Sequence, residues 1–128
     1  MVATGLVLAG IAALVHVYIF WLESFAWTSP SGRAVFGTTE QEAQATRALA
    51  YNQGFYNLFL AVAVVVGIVL VAAGQQAVGV TAVLIGAGSM AAAALVLLLS
   101  DRTKTSAALK QGVVPLLGVL ALVVGLAA

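Results

Sequence analysis

The chain has 128 residues, 63% of them apolar and only 7% charged, with a net charge of +1. A soluble domain carries roughly 25% charged residues, so this composition is wrong for water, and so small a net charge provides no basic face for nucleic acid. There is no cysteine, which excludes a disulfide framework and thiolate chemistry or ligation.

Four apolar spans follow along the chain, at about 2–27, 48–73, 77–99 and 112–128. A helix needs about 20 apolar residues to cross a ~30 Å hydrocarbon core, so each span is predicted to be a transmembrane helix. The fourth is the shortest, which places its end at an interface. The first is read as a membrane span and not a cleaved signal peptide. No basic n-region precedes it, and no small-residue cleavage site comes before "FWLESFAW". Within it, "LVHVYIFWLES" holds the single histidine, His16, and a carboxylate, Glu23, seven residues later. Seven residues is close to two helical turns, so both project from one face, about 10 Å apart along the axis.

The connection 28–47, "TSPSGRAVFGTTEQEAQATR", opens with Ser-Pro and Ser-Gly steps, which are turn chemistry. Thr39 with Glu42 three residues on is a capping box, so the second helix is predicted to begin near Glu40 and to enter the membrane already formed. Its "YNQGFYN" places Asn52, Gln53, Tyr56 and Asn57 on one broad polar face. A short uncharged "GQQ" joins spans two and three. The short basic "SDRTKTSAALKQ" joins three and four. Pro115 is expected in about the first turn of the last helix, where a missing N–H is tolerated.

Arg33, Arg47, Arg102, Lys104 and Lys110 all fall in or beside the first and third connections. In an antiparallel four-span bundle these share one side, which the positive-inside rule makes cytoplasmic. The expected architecture is therefore all-α: one four-span transmembrane domain over residues 1–128, both termini outside, a multi-pass protein of the cell (plasma) membrane. His16, Glu23, Asn52, Gln53, Tyr56, Asn57 and Gln111 then gather in the cytoplasmic half, while the outer halves of helices two to four are almost wholly apolar.

Polar groups at membrane depth are costly and normally face the protein interior or a water-filled cavity. Taken singly, Asn57 and Gln111 serve equally as interhelical glue, at about 0.6 kcal/mol per contact. The set is read as a ligand-binding pocket. Trp21, Phe25 and Trp27 are assigned to an aromatic belt. Asn52 and Gln53 are expected to point inward towards His16 or Glu23, and Glu23 to pair with Arg47 or to bond Asn52, Gln53 or Tyr56. Ala82 with Gly86, Gly88 with Ala92, and Gly118 and Gly125 suit close helix contact in the bundle or a homodimer. One histidine, one nearby carboxylate and no cysteine fall short of a metal-ligand set, and no cofactor fingerprint is present.

"HVYIFWLESFAW", a Phe-Gly turn in "VFGTTE", "NQGFYNLFLA" and a glutamine four residues before proline in "QGVVP" together resemble the membrane-protein family described as domain of unknown function 1304. The resemblance covers nearly the whole chain. Under it His16, Glu23, Trp27, Phe36, Asn52, Gln53, Gly54, Tyr56, Asn57, Gln111 and Pro115 match family motifs. The third span departs, with "AGSMAAAALVLLLSDRT" where the family tends to a Gly-rich, often Thr-containing pattern. The resemblance implies a four-helix membrane fold and transfers no activity.

Three functions suit these residues. One is binding of a small molecule or ion, extending to proton-coupled transport with Glu23 as the titrating group. Another is a membrane-embedded enzyme acting on an amphipathic substrate, with His16 as acid/base and Tyr56 or Asn52 as donor. The third is an accessory subunit whose polar cluster only pins helix packing. The lipid bilayer is a partner under all three. The apolar outer half argues against a permanently open pore.

Overall fold

A computed structural model describes residues 1–128. It is all-helical: α1 (Val2–Phe25), α2 (Pro30–Phe36), α3 (Glu40–Ala72), α4 (Gln76–Ser100) and α5 (Thr105–Ala127), with a 3₁₀ turn at Arg102–Lys104 before α5. The four long helices are each long and apolar enough to cross a membrane. They form a bundle in which α1 packs on α3 and α5, α4 packs on α3 and α5, and α1 and α4 face each other diagonally. The ends meeting at the first and third connections form one basic end.

Only 30 of the 128 residues are buried, and the buried apolar side chains are mostly alanine. Large apolar side chains therefore point outward: Leu14, Phe25, Leu49, Ile85, Val96 and Leu99 are all exposed. In water such a surface would aggregate. In a bilayer it is the surface that lipid requires, and the chain is a multi-pass membrane protein. The core, with Ala9, Ala12, Ala61, Val64, Val83, Ala87 and Leu122 at its centre, sits in the half away from the basic end. There Gly67 and Gly79 bring α3 and α4 almost into backbone contact, since a Cβ on Gly67 would lie 2.7 Å from the Gly79 carbonyl oxygen. Of the small-residue positions, Gly86 packs on α3, and Gly118 and Gly125 on α1, all within the bundle, while Gly88 meets nothing.

The capping box at the start of α3 is complete. The Thr39 N–H donates to Glu42 Oε2 at 2.8 Å, and the Glu42 N–H donates to Thr39 Oγ1 at 3.2 Å. The stretch read as turn chemistry instead forms α2. Ser29 caps it by accepting the Gly32 N–H, Pro30 occupies its first turn, and Gly37 ends it at φ 61°. Pro is preorganised for a first helical turn and Gly for the left-handed stop. Pro115 is also placed differently from expectation. α5 starts at Thr105, so Pro115 lies well inside it and is fully buried. A proline there cannot donate to the carbonyl four residues back, which frees the backbone oxygen of Gln111.

At the 3₁₀ turn, the Thr103 hydroxyl and N–H both donate to Asp101 Oδ1, at 2.6 and 2.9 Å. These bonds hold the Asp101 carboxyl below its ordinary pKa.

Candidate functional site

α1 and α3 touch where Gly54 stands. A side chain there would strike Ser24 Oγ and lie 3.0 Å from the Phe20 carbonyl oxygen. Ser24 Oγ donates to the Tyr51 carbonyl at 3.1 Å, a second tie between the same two helices. This close approach sets Glu23 against α3, where Asn57 Nδ2 donates to Glu23 Oε2 at 2.7 Å. Both residues are buried. Deeper in α1, the His16 ring is 2% exposed and its Nδ1–H donates to the Ala12 carbonyl at 2.9 Å. In the neutral imidazole that bond leaves Nε2 as a lone-pair acceptor.

These groups line a cavity of about 300 Å³ in the basic half of the bundle. α1 supplies His16 and Glu23, α3 supplies Gln53 and Asn57, α4 supplies Met90, Ala93 and Leu97, and α5 supplies Ala107 and Gln111. Trp27, Phe36, Thr38 and Lys104 line it towards the basic end. The volume is at the lower end of the range for small-molecule sites, and the mix of apolar walls with a few polar groups is typical of them.

Five of the seven sequence-predicted residues thus share one cavity: His16, Glu23, Gln53, Asn57 and Gln111. Asn52 and Tyr56 do not line it. Both lie on the exposed side of α3, Asn52 in a groove with Arg47 and Tyr51, Tyr56 with its ring edge-on to Phe59 at 6.4 Å, and both along a wider hollow that also touches Glu23 and Gln53. The inward orientation expected of Asn52 is therefore corrected, while Gln53 does reach the cavity. The reason is helical phase. The buried positions of this part of α3 are Ala50, Gly54, Asn57 and Ala61, which leaves Asn52 and Tyr56 on the outer side. The Glu23 partner is also corrected: it is Asn57, and Arg47 is exposed.

The sequence reading missed Trp27 as a cavity residue. Its Nε1–H donates to Thr46 Oγ1 at 3.1 Å and its ring tilts on Phe36 at 5.0 Å, so it is fixed by protein contacts and is not only a belt residue. Trp27 and Phe36 were both among the motif matches, which was the available signal. Lys104 gave no signal. Its Nζ donates to the carbonyls of Phe36 and Gly37, at 3.1 and 2.8 Å, across 68 and 67 residues of chain. A cation on the last carbonyls of a helix is favourable, so Lys104 ties the end of α2 over the cavity. The Thr38 hydroxyl beside it is buried without a partner. Lys104→Met removes both bonds, and the expected result is faster tryptic cleavage at Arg33 in α2 with the membrane helices still protected.

No cluster of metal-ligating side chains is present. No curated protein and no solved structure matches the chain. A family model does match, over residues 10–123: the chain belongs to the family described as Protein of unknown function (DUF1304).

Proposed function

We propose that the protein binds a small cationic, hydrogen-donating ligand, of the primary amine class, in the cavity of its basic half. One observation carries the reading. The cavity holds acceptors that no protein donor reaches: the second carboxylate oxygen of Glu23 and Asn57 Oδ1 at its shallow end, and His16 Nε2 deeper in α1. An ammonium has three donors and no acceptor, so it complements the Glu23–Asn57 pair, and a carboxylate held at 2.7 Å by a neutral amide is a ready counter-ion for it. The far half is filled by the alanine and valine core, so this is binding at one end of the bundle. Transport would require the Gly67–Gly79 contact to open.

The test is butylamine binding to purified protein by calorimetry. The expected result is saturable binding to the wild type, weakened at least about tenfold in Glu23→Gln, a loss of roughly 1.4 kcal/mol or more. The thermal midpoint of Glu23→Gln should stay close to that of wild type, because a Gln can still accept from Asn57. Equal binding by both forms would make Glu23 a packing residue and favour an accessory role.

The basic end is assigned to the cytoplasm, since it carries all five basic side chains. A cysteine at Ser31 should then escape an impermeant thiol reagent in intact cells, and one at Gln75 should react. The reverse pattern would move the cavity to the outer leaflet.

A further inference from the structure

A second hollow adjoins the cavity at the edge of the bundle. This wider hollow, about 630 Å³, shares Glu23, Trp27, Thr38, Gln53 and Lys104 with it. The two adjoin at these residues, and the outer one runs across the exposed face of α3 past Thr46, Leu49, Asn52 and Tyr56. Leu49 and Tyr56 are 71% and 64% exposed.

The level of this opening follows from the aromatic rings. Tyr18 stacks on Trp21 at 6.1 Å, and Phe25 meets Tyr51 edge-on at 6.4 Å. All four rings are exposed. Such rings collect at the boundary between headgroups and acyl chains. Glu23 lies between Trp21 and Phe25 in α1, so the carboxylate sits at that boundary and His16 about 10 Å deeper.

Glycine draws two other seams near the site close, while a smaller hollow of about 140 Å³ between α1 and α5 also reaches Phe36, Ala107 and Gln111. Gly54 presses α3 onto Phe20 and Ser24 of α1, and Gly112 lies against Ala94 to close α5 onto α4. The glycine contacts that join α3 to α4, Gly67 on Gly79 and Gly86 on Leu60 and Val64, all lie in the far half. In the basic half the α4 residue Ala93 is exposed and lines the cavity opposite Gln53. On the aqueous side, the end of α2 and its tether Lys104 cover the inner cavity, and the outer hollow reaches Glu42 and Thr46.

We infer that the ligand is a single-chain amphiphile with a primary ammonium head, taken sideways from the leaflet. This rests on the amine reading above and adds the chain and the route. The head meets Glu23 beside Asn57. The chain passes Gln53 and lies along Leu49 and Tyr56, in contact with lipid. A route through the leaflet spares the ligand full transfer into water, and spares the protein an aqueous channel through its covered end.

The probe is dodecylamine carrying a diazirine at the end of its chain, with the full protein in phosphatidylcholine vesicles. Photolabelled positions are read by mass spectrometry, with butylamine as a soluble competitor. The expected label is saturable and concentrated around Leu49 and Tyr56. It should fall at least tenfold in Glu23→Gln and with excess butylamine. Label spread over the lipid-facing surfaces of all four long helices, unchanged in Glu23→Gln, overturns the sideways route. If butylamine still binds the wild type and not Glu23→Gln, the cavity reading survives that failure. If butylamine binding is also absent or independent of Glu23, both readings fall.

Discussion

Gly54→Leu should abolish the folded bundle. The first atom of any side chain at this position would strike Ser24 Oγ, with the Phe20 carbonyl oxygen at 3.0 Å and Glu23 Cβ at 3.2 Å. A serine hydroxyl can rotate away, but a carbonyl inside α1 cannot. Overpacking a well-filled contact costs about 1–3 kcal/mol, and replacing Gly by Ala inside a helix returns up to about 1 kcal/mol. Gly54→Ala should therefore fold with a lowered midpoint. Leucine adds three more carbons to the same space, so α1 and α3 must separate. That separation also breaks the Glu23–Asn57 bond, and amine binding should be lost with the fold. Thermal unfolding in detergent, followed by circular dichroism, ranks the series. A wild-type midpoint for Gly54→Leu would mean that the helices do not approach closely at this point, and the geometry of the site would fall with it.

What could be read from sequence, and what could not, follows from how local each cause is. The four long helices were legible because lipid solvates no backbone polar group, which forces long continuous apolar runs. The start of α3 was legible because a capping box is complete within four residues. α2 was not, because Ser29-Pro30 serves a turn or a helix start equally, and Gly37 eight residues after Ser29 decides between them only in hindsight. Pro115 was placed too near a helix start because a membrane bundle tolerates proline in a helix interior. Within "NQGFYN" four polar side chains cannot all face inward. The phase set by Gly54 and Ala61 selects Asn57 and leaves Asn52 and Tyr56 outside. A small residue meant for close contact was therefore the better guide to the inward face than the polar residues themselves. Lys104 acts on Phe36 and Gly37 from a distant part of the chain, and nothing local encodes that.

Asn57→Leu should give the largest loss of stability of any isosteric change inside the cavity. Glu23 is 9% exposed and Asn57 is 6% exposed, and their bond is the only one the protein makes to this carboxylate. Removing the amide leaves a buried acceptor unsatisfied, which costs about 1–3 kcal/mol, with more expected when the acceptor is charged. Removing both partners is a different experiment. Glu23→Leu with Asn57→Leu replaces a polar pair by apolar groups of similar size, and such exchanges are often neutral or stabilising. The double variant should therefore be more stable than Asn57→Leu alone, and the two substitutions should be strongly non-additive. It should also bind no amine, since the counter-ion is gone. Unfolding midpoints of the wild type, both single variants and the double variant decide the matter. Additive losses would mean that the carboxylate is solvated independently of Asn57. The cavity would then be wet at Glu23, and the case for a tightly held ammonium there would fall.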